Sequence, residues 1–303
     1  MKKTLIASAI AAVTLSANTF AMDPTTELAE RLDAMPTFYG NIQLAFTATD
    51  NGDNWDEDFF DNGSTLGVKH SHEISPGLEG FLKAEFEFDA DDKKASSGLS
   101  KLDEAYIGLK GDFGKVWFGT DDSAYENVDV INHNEAIGIA GDLAGVHEGD
   151  TLQYKTPEIA GGLAVQLTFE MESSAKHDGA ISIEYAMDGI TLIGAYALAD
   201  EGDDAYGLAV TAELGDITVA AQFENEDDIN LYGVNAVFVM GDNQFAAGVA
   251  YADDDTDEVL GISGQALHNL SDNMYVYVEG YYEDVDSRKD AETSLALGAT
   301  YSF

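Results

Sequence analysis

The chain has no cysteine, four prolines and, at Arg31 and Arg288, only two arginines in its 303 residues. Without cysteine there is no disulfide framework, no thiolate metal site and no cysteine nucleophile. Stability therefore has to come from packing and backbone hydrogen bonds. So few prolines leave no proline-rich linker, and no composition shift marks a domain boundary. Long apolar runs are also missing. Beyond the first residues no stretch of eighteen apolar residues occurs, which excludes a membrane-spanning helix. Positive charge is scarce: 14 Lys and Arg stand against 57 Asp and Glu, a formal net charge of −43. That balance disfavours nucleic acid as a partner, because nucleic acid is held through lysine and arginine contacts to phosphate.

What is present starts with a leader. Lys2 and Lys3 precede the apolar TLIASAIAAVTLSA, and NTFA ends on the small residue Ala21. This is the make-up of a secretory signal peptide. Residues 1–21 are expected to be removed, and the loss of their two lysines takes the charge from −43 to −45.

The rest of the chain alternates. SLALGATYSF at the C-terminus puts Leu295, Leu297, Ala299, Tyr301 and Phe303 on one face, with small or polar residues between them. GLAVQLTFEME, DITVAAQFE, LEGFLKAEFEFD and NMYVYVEGYYE repeat the pattern. Period two is the signal of strands with one apolar face. Helical spacing fits only the short TTELAERLDAM. The connections alternate too. Tight ones fall at 75–77, 111–114, 157–162, 187–189, 214–216, 240–243 and 269–273, and longer acidic ones at 50–63, 89–100, 120–150, 172–179, 199–205, 224–229, 252–258 and 283–293.

Together these predict about sixteen strands in an all-β, transmembrane antiparallel barrel with short periplasmic turns and long outer loops. A soluble β-sandwich also alternates, but at this size it would divide into two domains, and its loops need not alternate short and long. The faces opposite the apolar ones carry Glu, Gln, Thr and Lys, which suits a wet lumen. Phe46, Phe88, Phe169, Tyr196, Tyr251, Tyr282, Tyr301 and Phe303 lie near strand ends, as interfacial girdles require. The expected organisation is the leader, a short segment at 22–36 and a single barrel domain at 37–303.

Chemistry is thinly represented. No serine or histidine sits in a nucleophile elbow, so no enzymatic activity is expected. A surface barrel with structural or adhesive acidic loops, and a barrel enzyme, are the competing readings. Asp-rich DNGDNWDED (50–58) and YADDDTDE (251–258) offer oxygen ligands for loosely held Ca²⁺ or Mg²⁺, without EF-hand spacing. No other cofactor is expected. His70 and His72 share a face with Leu66 and Val68, which puts them nearer the inner interface or a subunit contact than a metal site.

GFLKAEFEF, YIGLKGDFGKVWFGTDDSAYENV and the terminal Tyr-x-Phe resemble segments of the Gram-negative general diffusion porins. The resemblance implies a passive channel for ions and small hydrophilic solutes in the outer membrane of a Gram-negative bacterium. It implies a homotrimer in contact with lipid and lipopolysaccharide. It also implies that Phe303 is a signal to the barrel-assembly machinery, and that the third outer loop, here 120–150, folds into the pore. Asp129, Glu135 and Asp142 match the acidic side of that loop, and Lys69 and Lys83 match the basic wall. Thr65 and Thr120 stand where the family tends to have arginines. Glu85, Glu104, Glu170 and Glu279 are lumen-facing by parity. Carboxylates in a narrow pore lower the energy of cations and raise that of anions, so a cation-preferring channel is expected.

Overall fold

The period-two pattern builds one continuous antiparallel wall. The computed structural model describes residues 35–92, 101–138, 143, 148–159, 161–171, 178–199, 202–254 and 256–303. The leader, nearly all of the 22–36 segment with its helical spacing, and Asp142 lie outside the described residues. The strands are β1 (Thr37–Asp50), β2 (Trp55–Asp61), β3 (Thr65–Ser75), β4 (Leu78–Glu87), β5 (Lys101–Gly111), β6 (Gly114–Thr120), β7 (Thr151–Lys155), β8 (Leu163–Glu170) and β9 (Gly179–Met187). They continue with β10 (Ile190–Leu198), β11 (Ala205–Leu214), β12 (Ile217–Glu226), β13 (Ile229–Met240), β14 (Asn243–Asp253), β15 (Glu258–Ser271), β16 (Met274–Val285) and β17 (Glu292–Ser302).

From β3 onward each strand pairs antiparallel with the next. β1 pairs with β2 through Leu44–Asp50 and with β3 through Thr37–Gly40, so β2 and β3 are two halves of one wall strand. The wall therefore has sixteen strands built from seventeen segments. The break has a local cause. The Asp61 carboxylate accepts from the backbone N–H groups of Gly63 (3.0 Å) and Ser64 (2.8 Å), which turns the chain out of the ladder. Gly63 takes φ +87°, a conformation that a side chain would strain.

Closure is made by β1 against β17, from Asn41↔Ser302 to Asp50↔Thr293. Beyond that ladder, the Phe303 N–H donates to the Gly40 carbonyl at 3.0 Å. In hydrocarbon no backbone N–H or C=O can go unpaired, so a sheet that crosses a bilayer must have no free edge. Among the described residues no helix is long and apolar enough to cross a membrane; the crossing is made by strands.

The polarity of the wall is the reverse of a soluble protein's. On β17, Leu295 and Leu297 are 48% and 50% exposed, whereas Ser294 and Ala296 are 6% and 0% exposed. Gln153, Thr168, Gln222, Glu224, Asn235, Gln265 and Glu279 are buried on the inside, while leucine, isoleucine and phenylalanine cover the outside. A continuous apolar exterior of this size is stable only against lipid or another subunit.

One rim carries the seven tight turns in the places read from the sequence. The opposite rim is shorter than read. Residues 55–61 of the supposed 50–63 loop form β2, because they extend the ladder with β1 and only 51–54 connect the two. The 224–229 loop is likewise a two-residue turn at Asp227–Asp228, with Asp227 at φ +51°. Acidic composition had hidden both strand ends: carboxylates on a strand that stands in water read as loop.

Candidate functional site

Between β6 and β7 the described part of the chain folds inward and binds the lumen side of the wall. Tyr125–Val128 forms one 3₁₀ turn, and Tyr125 and Val128 are fully buried against Ala180, Ala195, Ala197, Ala205 and Ala209. Inward-facing alanines leave the depth that the turn occupies. Glycines deepen it further: a Cβ at Gly233 would stand 2.1 Å from Ile131 Cδ1, and one at Gly207 would stand 2.8 Å from Val128 Cγ2.

The loop backbone makes few bonds to itself, among them the Asp129 N–H to the Glu126 carbonyl (3.0 Å) and the Asp121 N–H to the Glu148 carbonyl (3.1 Å), so wall side chains complete the rest. The Ala124 N–H donates to Thr168 Oγ1 (2.8 Å) and the Val130 N–H to Gln222 Oε1 (2.8 Å). Asn235 Nδ2 donates to the Ile131 carbonyl (2.7 Å) and Gln265 Nε2 to the His133 carbonyl (2.7 Å). Glu279 holds the far end of the segment. Its Oε1 accepts from the Glu135 N–H and from Gln265 Nε2 (3.0 Å), and its Oε2 accepts from the N–H groups of Ala136 (3.0 Å) and Ile137 (3.1 Å). Glu279 is 1% exposed. It is an anchor for the loop and does not line the passage. Glu224 acts similarly, taking the Leu143 N–H at 3.1 Å.

With the loop fixed there, its first residues face the wall of β4 to β6 across a cavity of about 460 Å³. Asp121, Asp122 and Glu126 bring carboxylates from the loop side, and Glu104 one from the wall; Lys83, Lys115 and Lys155 bring amines. Much of the positive charge is already paired. Lys83 Nζ lies 2.6 Å from Glu104 and 4.0 Å from Glu85, and Lys155 Nζ lies 3.9 Å from Glu184. Asp121 is oriented by Trp117, whose Nε1–H donates to its Oδ2 at 2.6 Å. Burial pushes the Asp121 carboxyl up to about 6, and the nearby Glu104 charge adds to the shift. Asp122 is raised for the same two reasons, burial first.

The residues singled out from sequence are distributed as follows. Lys83 and Glu104 face the cavity, and Glu85 lies beside them; Glu85, Asp103 and Glu104 bring oxygens within 4.8 Å of one another. Thr120 ends β6 immediately before the loop. Lys69 sits 5.2 Å above the Tyr39 ring and is outside the group that lines the cavity. Asp129 closes the 3₁₀ turn, away from that group. Glu135 accepts from the Tyr275 hydroxyl at 2.7 Å; burial raises its pKa, and that hydrogen bond opposes the rise. Glu170 is buried on β8. Thr65 accepts from Asn41 Nδ2 at 3.1 Å. Arg288 is held by Glu283 at 2.7 Å, and Arg31 lies outside the described residues. His70 and His72 stack at 5.6 Å on β3. In the second Asp-rich tract Asp254 caps the N–H groups of Thr256 and Asp257, both at 2.7 Å. Asp122, Glu126 and Glu148 form the other carboxylate triplet within 4.8 Å among the described residues.

Asp121, Asp122, Glu126 and Lys115 were not singled out from the sequence. Lys115 and Trp117 alternate with Val116 and Phe118, so parity could have placed them inside.

A closed sixteen-strand antiparallel barrel, apolar outside and polar within, narrowed by an inward loop, is an outer-membrane channel. A family model described as Gram-negative porin matches residues 4–302, and the chain belongs to that family. It is 29% identical over 376 aligned positions to a Halomonas protein named monosaccharide porin, with all of both chains covered. It is 25% identical to outer membrane protein U of Vibrio cholerae over 224 positions, covering 73% of this chain and 55% of that one. Among solved structures, Salmonella typhi OmpF superposes with a TM-score of 0.74 at 16% identity, covering 89% of this chain and 98% of the other. A Rh. blastica porin variant superposes at 0.69 and 14%, covering 89% and 100%. The protein is thus an outer-membrane diffusion channel and not an enzyme.

Proposed function

We propose that this channel passes cations and small uncharged solutes more readily than anions. The observation that carries the reading is the uneven charge at the narrowed section. Asp121, Asp122, Glu126 and Glu104 face three lysines, of which Lys83 is already bonded to Glu104. Glu85 and Asp103 add further negative charge alongside. A unit charge at 4 Å is worth about 1 kcal/mol in bulk water and about 4 kcal/mol at an effective dielectric constant of 20, so a net negative cavity sorts ions by sign. The name of the Halomonas relative, monosaccharide porin, supports neutral solutes of sugar size as cargo.

Assembly as a homotrimer belongs to the same reading. Its support is the apolar outer wall and the likeness to a Vibrio cholerae protein solved in a trimer form. Delivery by the barrel-assembly machinery through Phe303 is supported by the resemblance of the terminal Tyr-x-Phe, and contact with lipopolysaccharide by the acidic outer loops, whose carboxylates can share divalent ions with its phosphates.

The test is swelling of proteoliposomes in isotonic solutes of matched size. Neutral monosaccharides and organic cations are expected to enter faster than organic anions. Equal entry of cations and anions would contradict the preference, and no swelling in any solute would contradict an open channel.

A further inference from the structure

The positive side of the cavity contains a lysine held in an unusual way. Lys115 Nζ lies 4.1 Å from the Trp117 ring centroid, 5.0 Å from Phe81 and 5.2 Å from Tyr106. The three rings come from the neighbouring strands β6, β4 and β5 and form a cage on the lumen wall. Among the described residues no carboxylate makes an ion pair with Lys115, whereas Lys83 and Lys155 both have one. Attraction of an ammonium to ring faces supplies what a carboxylate would otherwise supply, and it does so without cancelling the charge.

Trp117 has a second contact. It is 3% exposed, and its edge N–H donates to Asp121 at 2.6 Å while its face receives Lys115. An indole has a negative face and a positive edge. One ring therefore holds an amine on its face and a carboxylate at its edge, and keeps the two from collapsing into a salt bridge.

We propose that Lys115 is a specificity-determining residue of this pore. Its caged charge gives the cavity a separate positive pole, which admits anions and limits the preference for cations. The pole stands on a wall that lacks arginine altogether among the described residues. The idea rests on the reading of this cavity as the section that sorts ions, and it can fail while that reading stands.

The test is the reversal potential of single-variant channels in planar bilayers under a potassium chloride gradient. Lys115→Met is expected to raise the cation-to-anion permeability ratio about fivefold, since one charge acting on an ion about 4 Å away is worth about 1 kcal/mol in a water-filled space. Lys115→Arg, which keeps charge and ring stacking, should leave the ratio at the wild-type value. The difference should shrink in concentrated salt, because charges are screened there. Lys115→Gln serves the same purpose as Lys115→Met if the latter does not assemble. A conducting Lys115→Met or Lys115→Gln channel with the wild-type ratio overturns the proposal. A Lys115→Arg channel shifted as far as Lys115→Met also overturns it, because geometry and not charge would then be at work. If neutralising the loop carboxylates lowers cation preference while Lys115→Met changes nothing, the cage proposal falls alone. If the wild type shows no preference but Lys115→Met creates one, the cage stands and the wild-type cation preference falls.

Discussion

Glu279→Gln is expected to turn a steady channel into a noisy one. The two Glu279 oxygens together accept from three successive loop N–H groups and from Gln265. Glutamine has the same size but only one acceptor oxygen. Whichever way its amide points, two of those four donors then face an N–H₂ group. A buried donor left without an acceptor costs about 1–3 kcal/mol, so seating of the loop weakens by about 2–6 kcal/mol. The barrel itself survives, because backbone pairing of β16 with β15 and β17 does not involve the carboxylate. Single-channel records of Glu279→Gln should show frequent transitions to sub-conductance levels that the wild type lacks. Records indistinguishable from wild type would mean that the glycine and alanine bed holds the loop without this anchor.

The second large effect concerns ion preference. The triple variant Asp121→Asn, Asp122→Asn and Glu126→Gln removes the loop-side charges and keeps the shapes. The Glu126 oxygen that caps the Ser123 N–H at 2.7 Å has a counterpart in glutamine, so the turn should persist. The cation-to-anion permeability ratio should fall several-fold, toward or below one. The same groups predict a pH dependence. Asp121 titrates at about 6 because it is buried. It carries its charge above that pH and loses it below. Wild-type cation preference should therefore decline as pH falls through about 6, and the triple variant should be flat across that window. A triple variant with wild-type selectivity would remove the loop's start from the selective section.

How far the sequence could be read depended on whether a residue sits in a periodic element. On β17 and β4 the alternation of Leu295 with Ala296, or of Lys83 with Leu82, reports directly which side faces lipid. The barrel, its strand number and the seven tight turns follow from that regularity. β5 shows where it stops working. A bulge shifts the register between Ala84 and Phe86, so Asp103 and Glu104 both stand with Glu85 although they are adjacent in sequence. The inward loop has no period at all. Its path is set by which wall positions are glycine or alanine and by which wall side chains reach its backbone, and neither is visible in the loop's own residues. The acidic positions nearest the strand, Asp121 and Asp122, consequently face the passage. Glu135, singled out from sequence, is turned to Tyr275. Glu279 passed the parity test for the lumen, yet its carboxylate is covered by the loop it holds. Parity gives the side of a wall and not what lies over it.

The most direct measurement is the zero-current potential of the wild-type channel between unequal potassium chloride concentrations at neutral pH. An excess of carboxylates at the narrowing predicts a potential of the sign and size set by a potassium-preferring pore. A value near zero, or one of chloride-preferring sign, would contradict it.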